Sequence, residues 1–363
     1  MSLFVIMQCK IFFERRQTMS VTNYPWKQRG LNLFAPHPED VDRFCEFIER
    51  DLVPDKIDTI LLIVRYNYLF ESHPECAGPY PLSKQDVKKM LSVCRKHNIE
   101  LIPDMNLLGH QSLQHGEDRP DGLLAAHPEF SETPIEEKPE YAYSICASDK
   151  EAFNVICDLM DEVIDAFEAK YMHVGMDEVF YIGMCDKCKA TGKTNAELLA
   201  DWCNGLAKRI KEKGAVPMMW GDRLLNSFDF GYGPWDASQN DTWSAIDLID
   251  KDFIITDWHY HCWPHFRSVE VFAEKGFKMW LCPFNNSDYA KMFLDYAKEH
   301  GSDNILGVME TTWLPASFIF DSFEGIESVD DGEWHKSGMP YIRNCYNWLF
   351  RTSEFDPELV PED

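Results

Sequence analysis

The chain has 363 residues, 45% of them hydrophobic, with 24 Phe and 11 Trp, which is enough apolar side chain for one large core. Its 61 acidic residues against 35 basic ones leave a formal charge of -26, which excludes nucleic acid and an anionic membrane as partners, because both bind a positive face. No run of about 18 apolar residues is present, so no helix is expected to span a bilayer.

The first stretch, MSLFVIMQCKIFFERR, has a short apolar run that Lys10 interrupts and basic residues follow, the reverse of a signal peptide's order. Residues 1–28 are expected to be an N-terminal extension, with Met19 a candidate natural start. The 12 cysteines are scattered rather than set at tight spacings, which predicts reduced thiols and a cytoplasmic location.

From Arg29 onward, short apolar runs of β type alternate with longer amphipathic ones. The predicted strands are GLNLFA (30–35), TILLIV (59–64), ELIPDM (100–105), YMHVGM (171–176), VPMMWG (216–221), FIITDW (253–258), KMWLCP (278–283) and ILGVME (305–310). Between them, Ser83 with Asp86 and Thr194 with Glu197 mark helix starts, and Gly214 marks a helix end. Strands joined by helices pair in parallel, and eight such units predict an α/β fold of the (β/α)8 TIM-barrel type. The catalytic domain is expected to span 29–352, with an acidic tail at 353–363. No glycine-rich dinucleotide fingerprint follows the first strand. The segment from Asn106 to Ser148, rich in Pro, His and Glu, is a long insertion after the third strand.

Barrel enzymes build their sites at the carboxyl ends of the strands, so those positions carry the functional expectation. Here they are polar and aromatic: Arg65-Tyr66-Asn67-Tyr68, then Asp104, Asn106 and His110, then Asp177-Glu178 and Trp220-Gly221-Asp222. Strand six follows with Asp257-Trp258-His259-Tyr260, strand seven with Phe284-Asn285-Asn286, and strand eight with Glu310 and Trp313. Several tryptophans converging beside carboxylates suit a sugar, whose C–H face packs on an indole while polar groups take the hydroxyls. Adjacent strand residues point to opposite faces, so Asp177 and Glu178 can share one site only where the strand ends and the backbone turns. Cys185-Asp-Lys-Cys188 has the spacing of a zinc knuckle, but a structural zinc needs four ligands and no second pair lies at matching spacing. Reduced thiols are the expectation there, with no metal and no cofactor.

HVGMDEV (173–179) and IPDMNLLGH (102–110) resemble the His-x-Gly-x-Asp-Glu and Gly-His signatures of glycoside hydrolase family 20, the β-N-acetylhexosaminidases. Arg29-Gly30, MMWGD (218–222) and GVMETTW (307–313) are similar to other segments of that family, in the same order. The resemblance covers about 29–320 and is nearest to the stand-alone, hexosaminidase D type. It implies exo-action on a glycan or glycoconjugate ending in β-linked GlcNAc or GalNAc, by a retaining, substrate-assisted route. In that route Glu178 is the acid/base and Asp177 holds the acetamido group. Tyr260, or Asn285, takes the place of the family's absent strand-seven tyrosine. The resemblance further implies Arg29, Asn67, His110, Asp222, Trp220, Trp258 and Trp313 as substrate-binding residues. His173, inside the strand, is expected to be structural. Three positions depart from the family pattern: Met176 stands where a second glycine is common, and Asn67 and Leu314 stand where acids are common. A homodimer is a further expectation. Two alternatives stand beside this one: Glu310 as a covalent nucleophile, and a sugar-binding barrel without catalysis.

Overall fold

The computed structural model describes residues 24–112, 120–134, 141–301, 303–326 and 333–361. Most of the predicted N-terminal extension, parts of the insertion after the third strand and the last two residues of the tail lie outside the described residues.

Eight strands run in sequence order around a closed barrel: β1 (Gln28–Phe34), β2 (Thr59–Ile63), β3 (Glu100–Asp104), β4 (Tyr171–His173), β5 (Val216–Trp220), β6 (Ile254–Trp258), β7 (Lys278–Cys282) and β8 (Ile305–Glu310). Each ends within one residue of its predicted end except β4, which stops at His173. All five residues of β2 and all five of β6 are buried, because strands covered on both faces read as continuous apolar runs. The shortness of β4 has a backbone cause. Gly175, Met176 and Glu178 all have positive φ, at +70°, +75° and +50°, a conformation that no strand continues through. Only glycine fits at 175, where a Cβ would lie 2.7 Å from the Asn106 side-chain nitrogen.

Five helices of 13 residues or more lie among the described residues: α1 (Lys84–Lys96), α2 (Lys150–Phe167), α3 (Asn195–Glu212), α4 (Ser287–His300) and α5 (Glu333–Phe350). Their starts follow the predicted capping chemistry. Ser83 and Asp86 exchange hydrogen bonds ahead of α1, and Thr194 with Glu197 forms a reciprocal capping box at α3. On α2 the buried positions Ile156, Met160, Val163, Ile164 and Phe167 recur at helical spacing and form its core face. The link from β5 to β6 contains only short turns, Asp222–Leu224, Ser227–Phe230 and Trp243–Asp247, because Gly231, Gly233 and Pro234 break any longer helix.

By contacts the chain divides into two compact units, one running up to Leu61 with 92–100 and everything from Asp257 onward, the other comprising Leu62–Leu91 and Leu101–Thr256. In the first unit, Arg29 lies at the amino end of β1. Its backbone N–H donates to Asp58 and its Nη1 donates to the Asp55 carbonyl at 3.0 Å. The expectation that Arg29 grips sugar hydroxyls is corrected by this placement. The carboxyl end of β1 at Phe34 is roughly 16 Å away along the strand, beyond the reach of a guanidinium.

Candidate active site

In the second unit, the turn that ends β4 brings the two acids together. With Met176 and Glu178 both in the left-handed region, the alternation of a strand is broken on either side of Asp177. Both carboxylates therefore approach one atom: His110 Nε2 lies 2.9 Å from Asp177 Oδ2 and 3.3 Å from Glu178 Oε2. Met176, fully buried, holds a conformation that glycine adopts more readily, and such strain collects at functional sites.

His110 is itself buried and of positive φ, and its place is set by Arg65, whose guanidinium donates to the His110 carbonyl and to Asp121 Oδ2 at 3.1 Å. Burial works against a charge on the imidazole, but the Asp177 and Glu178 carboxylates outweigh it and push its pKa up to about 10. The imidazolium in turn holds Asp177 below the ordinary carboxylate range, against the opposing effect of burial. Asn106 completes the grip by donating to Asp177 Oδ1 at 2.8 Å. Tyr141 hydrogen-bonds the Glu178 carboxylate, and burial and that negative charge raise its phenol. Tyr141, Phe180 and Trp235 pack edge to face on one another at 5.0 to 5.6 Å, with Trp235 41% exposed.

Asp222 was expected to bind substrate, and the structure corrects this. Its Oδ2 accepts from the Glu178 backbone N–H at 2.9 Å and from Arg223 Nε at 2.6 Å, so it supports the acid instead. Burial raises its pKa to about 6 even with Arg223 beside it. Trp220 is also corrected. It is 1% exposed and packs edge to face on His173 at 4.8 Å, so it fills the barrel interior rather than forming a sugar wall. His173 is structural, as expected: fully buried, it bridges Asp104 at 2.9 Å and Thr256 at 2.8 Å. Asn67 lies past the end of β2, and its Oδ1 is a buried acceptor with no partner among the described residues.

In the first unit, Trp313 Nε1 donates to the Tyr260 hydroxyl at 2.8 Å, which Thr311 Oγ1 meets at 2.9 Å. Tyr260 stacks at a tilt on Trp258 (4.8 Å) and Phe284 (5.0 Å), and Asn285 is half-buried next to Phe284 in the chain. Trp313, three residues past the end of β8, has a φ of +52°, in the left-handed region. Glu310 belongs elsewhere. Both its carboxylate oxygens are buried without a partner among the described residues, and burial raises its pKa well above the usual value. The charged or polar groups that feel it, Arg343, Cys345 and Tyr346, all lie on α5, so Glu310 is directed at the helix layer.

In the second unit the structure brings Asp177, Glu178 and His110, all singled out from the sequence, together with Arg65 and Asn106, which the sequence placed at strand ends without a role, and beside them Tyr141, Phe180 and Trp235, which the sequence reading did not single out. Tyr141 and Trp235 sit in irregular segments with no motif around them. The sequence also found no partners for Cys185 and Cys188. The fold supplies two, since Glu132, Cys146, Cys185 and Cys188 each offer a ligand atom within 4.8 Å of the others.

The catalytic-domain model of glycosyl hydrolase family 20 matches residues 66–318. A lacto-N-biosidase from Bifidobacterium bifidum is 24% identical over 221 residues, covering 57% of this chain and 18% of that protein. Hexosaminidase D from Bos taurus is 22% identical over 182 residues, covering 45% of this chain and 46% of that protein. The chain thus spans less than half the length of these curated relatives. Among solved structures, a β-N-acetylhexosaminidase from Bacteroides fragilis has the same fold, with a TM-score of 0.62 at 15% identity, over 94% of this chain and 68% of that one.

Proposed function

This chain belongs to glycosyl hydrolase family 20, and on that premise we propose that it is an exo-acting β-N-acetylhexosaminidase, removing terminal β-linked GlcNAc or GalNAc with retention by substrate-assisted catalysis. The observation that carries this reading is the convergence of Asp177 and Glu178 on a single nitrogen of His110. Two carboxylates drawn to one point cannot flank a sugar from opposite faces with a water between them, as the usual inverting pair does. They can serve one side of it in different roles.

Glu178 gives its proton to the departing glycosidic oxygen while the substrate's acetamido oxygen bonds to the anomeric carbon and the glycosidic bond breaks. Asp177, kept anionic by His110, accepts the acetamido N–H and stabilises the oxazolinium cation. Water then adds to the anomeric carbon as Glu178 takes back a proton, and the ring opens. Tyr260, Trp258 and Trp313, at the carboxyl ends of β6 and β8, are assigned to holding the acetamido group and the sugar face, with Asn285 beside them. Asn67 Oδ1, a buried acceptor without a partner among the described residues, is assigned to a substrate hydroxyl. The names of the hexosaminidase relatives agree with this assignment.

The test is hydrolysis of an aryl N-acetyl-β-glucosaminide, its galacto epimer and the glucoside lacking the acetamido group. Cleavage confined to the acetamido sugars is expected, with Glu178→Gln losing about a hundredfold or more of turnover. Asp177→Asn is expected to damage acetamido substrates most. Failure of the purified chain to cut either aminosugar, or full activity in Glu178→Gln, overturns the reading. The rival with Glu310 as covalent nucleophile has no support in that side chain's direction toward α5.

A further inference from the structure

We propose that Glu132, Cys146, Cys185 and Cys188 form a structural zinc site that fastens the loop after β4 to the insertion after β3. Three thiols and one carboxylate make four donors of the kind zinc takes in a closed tetrahedral site. The spacings suit a shared ion. Cys146 Sγ lies 3.3 Å from Cys185 Sγ and 3.6 Å from Cys188 Sγ, and Cys188 Sγ lies 3.2 Å from Glu132 Oε2. Ligands about 2.3 Å from zinc stand a little under 4 Å apart in a tetrahedron, whereas a disulfide needs about 2.05 Å.

The donors are also oriented from behind. Cys185 caps the short helix Asp186–Ala190, and its Sγ accepts the Cys188 backbone N–H at 3.3 Å, the turn that aims both sulfurs of a knuckle the same way. Glu132 Oε1 is held by the backbone N–H groups of Met184 and Cys185, which directs Oε2 at Cys188. Ser148 Oγ touches Cys188 Sγ at 3.2 Å. Cys146 and Cys188 are each 1% exposed and Glu132 is 2% exposed, so this is a sequestered nest of acidic groups and not a surface cluster. On binding, each thiol that becomes a ligand releases its proton to solvent and no electron is transferred. Lys187, paired with Asp149 at the edge of the cluster, offsets part of the negative charge that results.

The clip joins two segments that matter for the acids. Cys146 N–H bonds to the Phe130 carbonyl and Ile145 bridges Ser131, which ties Glu132 and Cys146 into one strap that also carries Tyr141. Cys185 and Cys188 lie in the loop that leaves Glu178.

The test reads metal directly on the full chain, purified under reducing conditions without a metal-affinity column. About one zinc per chain by plasma mass spectrometry is expected. Release of that zinc is expected to track modification of three thiols when a mercurial is titrated in the presence of a metallochromic indicator. Cobalt(II) replacement is expected to bring the near-ultraviolet thiolate charge-transfer band. Cys185→Ser is expected to lose the metal, and the wild-type titration keeps the proposal open to refutation if that variant does not fold. A reduced chain that retains no zinc after incubation and desalting, or a Cys146–Cys185 disulfide found by peptide mass spectrometry, overturns it.

Discussion

The backbone N–H of Glu178 donates to Asp222 Oδ2 at 2.9 Å, so the acid at the end of β4 is held by a residue two places beyond the end of β5. Arg223, 1% exposed, keeps that carboxylate in place from the other side. The backbone turn that carries Glu178, left-handed there, therefore depends on a buried ion pair in the neighbouring strand's loop.

Asp222→Ala is expected to lower kcat by about tenfold to a hundredfold, since displacement of a reacting group by an ångström costs that much. It is also expected to cost about 3–5 kcal/mol of stability, because Arg223 is left buried and unpaired. Asp222→Asn, which keeps an acceptor, should recover part of kcat. Steady-state kinetics beside thermal unfolding separates the two effects. A loss of stability with kcat per folded molecule unchanged contradicts the positioning role.

His110→Gln removes the positive charge shared by the acids. Asp177, now without its counter-ion, rises toward or above the ordinary carboxylate value, so the acidic limb of kcat/KM is expected to move to higher pH by about one unit or more. The sign for stability follows from the direction of each shift. His110 is raised to about 10, so its contribution is complete below the unfolded histidine value and disappears as pH rises through about 10. Asp177 is depressed, so its contribution is present above the unfolded aspartate value and disappears as pH falls through its folded one. A pH–rate profile for the variant that superimposes on the parent's rules out the coupling.

Glu310→Gln is expected to leave activity intact and to stabilise the fold at neutral pH. The carboxyl, raised well above its usual value by burial, stays protonated in the folded chain but ionises in the unfolded one. Its favourable share is complete below the unfolded value near 4.3 and is lost as pH climbs toward the folded one. The melting-temperature gain of the variant should therefore grow as pH rises from 5 to 8. Loss of activity with an unchanged melting profile favours the covalent-nucleophile alternative.

Tyr260→Phe is expected to lower kcat/KM by about tenfold or more on acetamido substrates, and Trp313→Phe by less. The phenol is the acceptor of Trp313 Nε1, so its removal disturbs both groups, whereas the reverse change leaves the hydroxyl in place. Equal effects on sugars with and without the acetamido arm remove Tyr260 from that role. The comparison needs only the two aryl glycosides and the two variants.

Much of the fold was legible because burial on both faces writes a strand as an unbroken apolar run, as in TILLI and IITDW. The capping pairs Ser83/Asp86 and Thr194/Glu197 were legible for a similar reason, since a cap is a local bond between residues three apart. The acidic pair was found through its position at a strand end. Arg29 was misplaced because a motif names a residue without saying which end of the strand it faces, and Trp220 because an indole in the core and an indole on a wall look alike in one dimension.

The sequence by itself determined the barrel, the order of its strands and the place of two adjacent acids just past the fourth strand, because these depend on periodicity and on neighbours a few residues apart. Only the tertiary structure decided what each polar group does. The placing of His110 against both acids, of Asp222 under the Glu178 amide, of Glu310 toward α5 and of Cys146 with Glu132 beside the knuckle are contacts across 35 to 68 residues of chain. No local pattern encodes such contacts, since burying a charged group costs free energy that only a partner can offset, and the partners meet only once the strands have closed.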